Sequence, residues 1–178
     1  MITLEEELKP LLRDVADFPK PGILFKDITP LLASPSARER VVNTIADHFK
    51  NYRIDAVAGV EARGFIFGSL IAQKMSLPFI PIRKAGKLPY KKIREEYALE
   101  YGTASIEMHE DAVSSGTRVL LHDDLLATGG TATAAGTMIQ RLGATVAGYS
   151  FIINLSFLPG DTLLKSRFNV RPHYLITF

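Results

Sequence analysis

The segment Val119-Leu120-Leu121-His122-Asp123-Asp124-Leu125-Leu126-Ala127-Thr128-Gly129-Gly130-Thr131 carries the residue types best suited to chemistry. An apolar run meets two carboxylates, then a small-residue loop, then a helical pattern that opens at Gly130. A helix N-terminus offers unpaired N–H groups and partial positive charge, which suit a phosphate. Ala127, Gly129 and Gly130 let the backbone close around an anion, and Thr128 and Thr131 add hydroxyl donors. Asp123 and Asp124 lie a few residues upstream, where sugar hydroxyls can donate to them. A phosphate at one end and hydroxyls at the other describe a ribose 5-phosphate. The rival motifs fit poorly. A Walker loop needs a Lys before its last Ser/Thr, and Gly129, Gly130 and Gly136 do not match the dinucleotide fingerprint. His122-Asp123-Asp124 makes a poor metal cluster because neighbouring strand residues point to opposite faces. A Gly-rich strand-to-helix turn beside a cap is the plain structural alternative. His122 is assigned no role.

Three other segments add chemical groups. In Asp17-Phe18-Pro19-Lys20-Pro21-Gly22-Ile23-Leu24-Phe25-Lys26, a stiff Pro-rich lead-in precedes an aromatic. Phe25 either offers a stacking face to a flat base or belongs to the core. In Val60-Glu61-Ala62-Arg63-Gly64-Phe65, small residues surround one Arg after a strand, as suits a loop wrapped around pyrophosphate. From Arg83 to Gly102 the chain is rich in charge, with Arg83, Lys84, Lys87, Lys91, Lys92 and Arg94 close together. Such a run is a solvated surface, a nucleic-acid patch or an active-site lid.

These groups need a frame. Thr3 with Glu6 forms a capping box, and Leu4, Leu8, Leu11, Leu12 and Val15 follow at helical spacing, interrupted by Pro10. Ser34 and Pro35 open a second helix whose face carries Val41, Val42, Ile45 and Phe49. Strands are expected at 54–60, 78–82, 118–124 and 145–155, with helices at 64–75 and 130–142 between them. A hairpin is expected from Ala98 to Met108, bent near Gly102. A turn or short helix should follow Pro159, and His173–Phe178 should form an edge strand. This alternation implies an α/β fold with a mostly parallel sheet covered on both faces, and ligands at the C-terminal strand ends.

The chain has 178 residues, 47% of them apolar, which fits one domain. A formal charge of +2 gives no general attraction to nucleic acid or membrane. The absence of cysteine excludes disulfides and a thiolate nucleophile. The acidic run Glu5-Glu6-Glu7 is unlike a signal peptide, and no apolar stretch approaches a span of ~20 residues. A cytoplasmic protein is expected, with neither nucleic-acid nor membrane partners.

The paired acids and Ala127-Thr128-Gly129-Gly130-Thr131 closely resemble the binding signature for 5-phosphoribosyl-1-pyrophosphate (PRPP) in the type I phosphoribosyltransferase family. The other three segments extend that resemblance over nearly the whole chain, towards the family's adenine-using branch. It implies the type I fold over residues 1–178, with a small N-terminal hood at about 1–33 and a mobile catalytic loop at about 83–102. It implies phosphoribosyl transfer from PRPP to adenine, giving AMP and pyrophosphate in purine salvage. Another purine base (hypoxanthine, guanine or xanthine) and a non-catalytic PRPP-sensing regulator are the alternatives. By the same resemblance Phe25 stacks on the base, while Leu24 and Lys26 meet its edge, partly through main chain. Arg63, Lys84 and Lys87 hold pyrophosphate, and Arg83 reaches the neighbouring subunit's pyrophosphate. Asp123 and Asp124 hold the ribose, and Ala127 to Thr131 cradle the 5-phosphate. Glu100 is the general acid/base, ordered by Tyr101. A cis Glu61–Ala62 peptide, Mg²⁺ carried mainly by the substrate, no protein metal ligand and a homodimer are also implied. Two positions depart from the pattern: Asn154, where relatives often carry an acid, and Lys26, where Arg is commoner.

Overall fold

The computed structural model describes residues 2–98 and 102–178. Helix α1 (Leu4–Leu8) opens at a reciprocal cap, with Glu6 N donating to Thr3 Oγ1 at 3.2 Å and Thr3 N donating to Glu6 Oε2 at 2.8 Å. The helical spacing out to Val15 is not realised. Pro10 lies in a single 3-10 turn (Lys9–Leu11), and Arg13–Ala16 then becomes strand β1. Pro10 has no N–H to continue the helical ladder, and β1 finds backbone partners in antiparallel β2 (Leu24–Asp27) instead. The pair forms a two-stranded sheet of its own. Helix α2 (Thr29–Ala33) leads to α3 (Pro35–Phe49), where Ser34 caps the N-terminus by accepting from Ala37 N at 3.3 Å.

The main sheet has seven strands: β3 (Ala56–Val60), β4 (Phe79–Lys84), β5 (Lys92–Ala98), β6 (Thr103–His109), β7 (Arg118–Leu126), β8 (Thr145–Asn154) and β9 (His173–Thr177). Their order is β5-β6-β4-β3-β7-β8-β9. The run β4-β3-β7-β8-β9 is parallel, and β6 and β5 are added antiparallel at one edge. Helices α4 (Arg63–Met75), α5 (Gly130–Arg141) and α6 (Gly160–Phe168) are the crossovers.

Alternating strand residues feed two apolar clusters. Ala58, Leu121 and Tyr149 pack with Ala135, Met138, Ile139 and Leu164 from α5 and α6. Val57, Leu120 and Ile152 pack with Val41, Ile45, Phe67 and Ile71 from α3 and α4. Each large aliphatic side chain so buried contributes about 1.5–3 kcal/mol. Both faces are therefore covered, as the parallel arrangement requires. Among the described residues no helix is long and apolar enough to cross a membrane.

The charged stretch differs most from expectation. Instead of a hairpin beginning at Ala98, strand β5 starts at Lys92 and pairs with β6 from Lys92↔His109 to Ala98↔Thr103. Ile93, Glu95 and Tyr97 are half-buried while Arg94, Glu96 and Ala98 are exposed, a two-residue period that the charges disguise.

Candidate active site

Asp123 and Asp124 lie near the C-terminal end of β7 and face the start of α4. That helix approaches closely because its second residue is Gly64. A Cβ there would stand 2.9 Å from both Asp123 Oδ1 and His122 O. The approach brings Arg63 Nε to 2.8 Å from Asp124 Oδ2. Asp124 is buried, and Asp123 Oδ1 accepts its neighbour's N–H at 2.9 Å. Burial, and then the adjacent Asp124 charge, push the Asp123 carboxyl well above the ordinary range. Burial also raises Asp124, with the Arg63 guanidinium opposing it. The Glu61–Ala62 peptide that leads into α4 is cis, as the resemblance implied.

The small-residue loop follows directly. Gly129 has φ +83° and precedes α5 with no side-chain cap, so the first amides of the helix stay available to a ligand. The loop is braced from behind by α6, whose Gly160 N donates to Ala127 O at 3.1 Å. A Cβ on Gly160 would come within 2.3 Å of that carbonyl. From the front, a Cβ on Gly130 would meet the Tyr97 ring at 3.3 Å and Ala98 O at 3.4 Å, so β5 rests directly on the helix start.

Two adjoining hollows result. One, of about 210 Å³, is lined by Ala127, Thr128, Gly129, Gly130 and Thr131 together with Arg63, Asp123 and Asp124. The other, of about 160 Å³, shares Arg63, Asp123, Asp124 and Thr131 and adds Glu61, Lys84 and Tyr97. A roomier hollow of about 510 Å³ lies between α3 and α4 among Pro35, Glu39, Gln73 and Lys74, away from the paired carboxylates. Convergent polar groups define chemistry better than volume does.

The remaining expected residues are distributed unevenly. Arg83 forks onto Glu61, with Nε and Nη2 each 3.2 Å from a carboxylate oxygen, and Nη1 donates to Lys87 O at 2.7 Å. Glu61 also accepts Lys84 N at 3.0 Å, and the Arg83 bonds hold its carboxyl below the usual range. Lys87 is exposed and lines neither hollow. On the hood, the Arg63 guanidinium lies 4.7 Å over the Phe25 ring, and Phe18 packs edge-on against that ring at 5.1 Å. Leu24 is half-exposed. The Lys26 ammonium is buried, 2.7 Å from Asp14 Oδ1 and 3.8 Å from the centre of the Phe178 ring, so its side chain is already engaged. Glu100 and Tyr101 lie outside the described residues.

Sequence reasoning missed Glu61, Tyr97 and Gly160. The alternation in β5 would have marked Tyr97, whereas nothing local marks Gly160, whose role comes from a partner far away in the chain. His122, fully buried with Nδ1 3.3 Å from Ser150 Oγ, has its pKa lowered to about 3 by burial and is a packed strand residue.

An uncapped small-residue loop, paired carboxylates and the cations Arg63 and Lys84 thus converge on two adjoining hollows. The family model for the phosphoribosyl transferase domain matches residues 28–169, and the chain belongs to the phosphoribosyltransferase family. Adenine phosphoribosyltransferase of Cytophaga hutchinsonii is 53% identical over 161 residues, covering 90% of this chain and 89% of the relative. The crystal structure of adenine phosphoribosyltransferase from Thermoanaerobacter pseudethanolicus superposes with a TM-score of 0.94 at 44% identity, covering 99% of this chain and all of that one. The Saccharomyces cerevisiae enzyme, complexed with adenine and an imino-altritol bisphosphate, gives a TM-score of 0.88 at 35% identity, with 97% of this chain and 98% of that one covered.

Proposed function

We propose that this chain transfers the phosphoribosyl group of PRPP to adenine, releasing AMP and pyrophosphate, as a purine-salvage enzyme. The observation that carries this reading is the adjacency of the 127–131 cradle to Asp123, Asp124 and Arg63 in one cleft. In it the 5-phosphate is held by the amides at Gly129 to Thr131 and the Thr128 and Thr131 hydroxyls. Asp123 and Asp124 accept from the ribose hydroxyls. The base enters between Phe25 and Arg63. Their present 4.7 Å separation must widen to roughly 7 Å, two van der Waals contacts, to admit a flat ring. Strand β2 has a partner on one side only, so the main chain of Leu24 and Lys26 can meet the base edge. Main-chain pairing suits adenine, whose amino group donates where 6-oxo purines accept.

As the bond from C1′ to pyrophosphate breaks, positive charge develops on the ribosyl group and negative charge on the leaving group. Asp123 and Asp124 lie beneath the first; Arg63 and Lys84 meet the second, with Lys87 reaching in from the exposed turn and Arg83 serving the neighbouring subunit. Glu100 takes the proton that adenine loses as its nitrogen attacks C1′, and Tyr101 orders the loop around it. Closure of residues 83–102 excludes water that would hydrolyse PRPP. Among the described residues no group of three or more His, Cys, Asp or Glu side chains could hold a metal ion. Mg²⁺ would be carried mainly by the substrate's own oxygens and by water, and no protein ligand is assigned to it. Mg²⁺ bound in that way supplies positive charge to the leaving group. We further assign the chain to a single domain (1–178, hood 1–33), a cytoplasmic location and a homodimer without nucleic-acid or membrane partners.

The test is a panel of adenine, hypoxanthine, guanine and xanthine, each with PRPP and Mg²⁺, read by pyrophosphate release. Turnover with adenine alone is expected. Turnover only with a 6-oxo purine would replace the base assignment, and none with any base would remove the enzymatic reading.

A further inference from the structure

Between β4 and β5 the chain makes a compact turn, residues 85–91, organised around a carboxylate outside the cleft. Glu107 on β6 is only 4% exposed. Its Oε2 accepts Gly86 N at 3.1 Å and lies 3.2 Å from Lys92 Nζ. Lys92 Nζ in turn donates to Leu88 O at 2.6 Å, above a buried Leu88 side chain. Gly86 sits at φ +80°, where a side chain would be strained. Burying a carboxylate is costly unless it is paired and hydrogen-bonded, and an apolar filling of equal volume could have closed the turn at less cost. A carboxylate differs from such a filling by dictating which amide and which ammonium must meet it, and so fixes the path of the turn.

That path sets the basic rim of the cleft. Lys84 and Lys87 stand just before and within the turn, with Gly86, the residue Glu107 holds, between them. Lys87 O is tied to Arg83, Arg83 forks onto Glu61, and Glu61 also holds Lys84 N. Glu61 and Lys84 both line the hollow that contains Asp123 and Asp124. A slip at Gly86 would therefore displace the cations without touching the carboxylates or the phosphate cradle.

We propose that Glu107 is a positioning residue for the pyrophosphate-binding cations, acting through the Gly86–Lys92 turn to hold Lys84 at the cleft and Lys87 on the turn beside it. This rests on the phosphoribosyltransferase reading of the site. The charge on Glu107 is required for pyrophosphate and dispensable for the nucleotide.

The test measures AMP pyrophosphorolysis by the full chain with Mg²⁺ for the parent, Glu107→Gln, Lys92→Met and the double variant. Glu107→Gln is expected to raise KM for pyrophosphate about tenfold while KM for AMP stays within about twofold. The double variant, which leaves no unpaired charge, should keep the melting temperature of the parent and still bind pyrophosphate weakly. An unchanged pyrophosphate KM in Glu107→Gln, or equal rises in both KM values following a loss of thermal stability, overturns the inference alone. A parent chain that forms no AMP from adenine and PRPP overturns the functional reading as well.

Discussion

One wall of the cleft is made by β7, α5 and the brace from α6, and the other by β4, β5, β6 and the turn between β4 and β5. The first wall is shaped by small residues. Gly64, where α4 meets β7, and Gly160 allow approaches that a Cβ would forbid, and Gly129 and Gly130 leave room where a Cβ would be tightly crowded. Its two carboxylates have few partners, with Arg63 reaching Asp124. The second wall is shaped by charges that pair across long stretches of sequence: Glu61 with Arg83, Glu107 with Lys92 and Glu95 with Arg141. Close packing has little give, whereas partly exposed ion pairs such as Arg141–Glu95 and Arg83–Glu61 are individually weaker and more readily rearranged, with the buried Glu107 as the fixed point among them. On the function proposed above, the first wall would be the rigid receptor for ribose phosphate, and the second, anchored at Glu107, would be the wall that meets pyrophosphate.

The comparison can be broken by substitution, and the largest effect belongs to the chemical step. Glu100→Ala should lower kcat by about 10²–10⁴-fold with little change in either KM, as judged by steady-state AMP formation. A turnover equal to that of the parent removes the proton-transfer role.

Gly160→Ala comes next. The new Cβ would lie 2.3 Å from Ala127 O and must push the cradle outward. Overpacking of this kind costs about 1–3 kcal/mol, so kcat/KM for PRPP should fall by about ten- to a hundredfold. An unaltered PRPP response would mean that this wall is soft after all.

Asp123→Asn sharpens the contrast by separating stability from function. The folded pKa of Asp123 lies above its unfolded value, so the protonated form favours folding. That contribution is fully present below about pH 3.9 and is lost as pH rises through the raised value. The variant should therefore gain about 0.5–2 kcal/mol above neutrality while losing activity, and its advantage should shrink towards pH 4. Thermal melts across pH, paired with AMP assays, check both halves.

The smallest effect is expected at Arg141. It bonds Arg94 O at 3.0 Å and Glu95 Oε2 at 2.8 Å, both in exposed surroundings. Arg141→Ala should cost no more than about 1 kcal/mol and leave kcat/KM near that of the parent. A large loss would mean that β5 depends on this one tether.

The same contrast explains what could be read from the residues alone. β3 and the Val119–Leu121 run of β7 are apolar and buried, so their strand character is written locally, and the carboxylates near the end of β7 and the glycines beyond it stand out. The start of α3 was equally plain, because Ser34 and Pro35 act within a few residues. β5 was hidden, since Lys92-Ile93-Arg94-Glu95-Glu96-Tyr97 looks like solvated surface until β6 and α5 are placed against it. The end of α1 was misjudged because Val15 continues the helical spacing while its actual partner, Phe25, comes later in the chain. Glu107 and Gly160 gave no local signal at all, because each acts on a turn far from it in sequence.

The most direct measurement is a crystal structure of the chain grown with AMP. The 5′-phosphoryl group should sit on the amides of Gly129 to Thr131, with the ribose hydroxyls on Asp123 and Asp124 and the adenine between Phe25 and Arg63. A phosphoryl group bound outside the 127–131 loop, with those amides left to solvent, would contradict the assignment of this cleft.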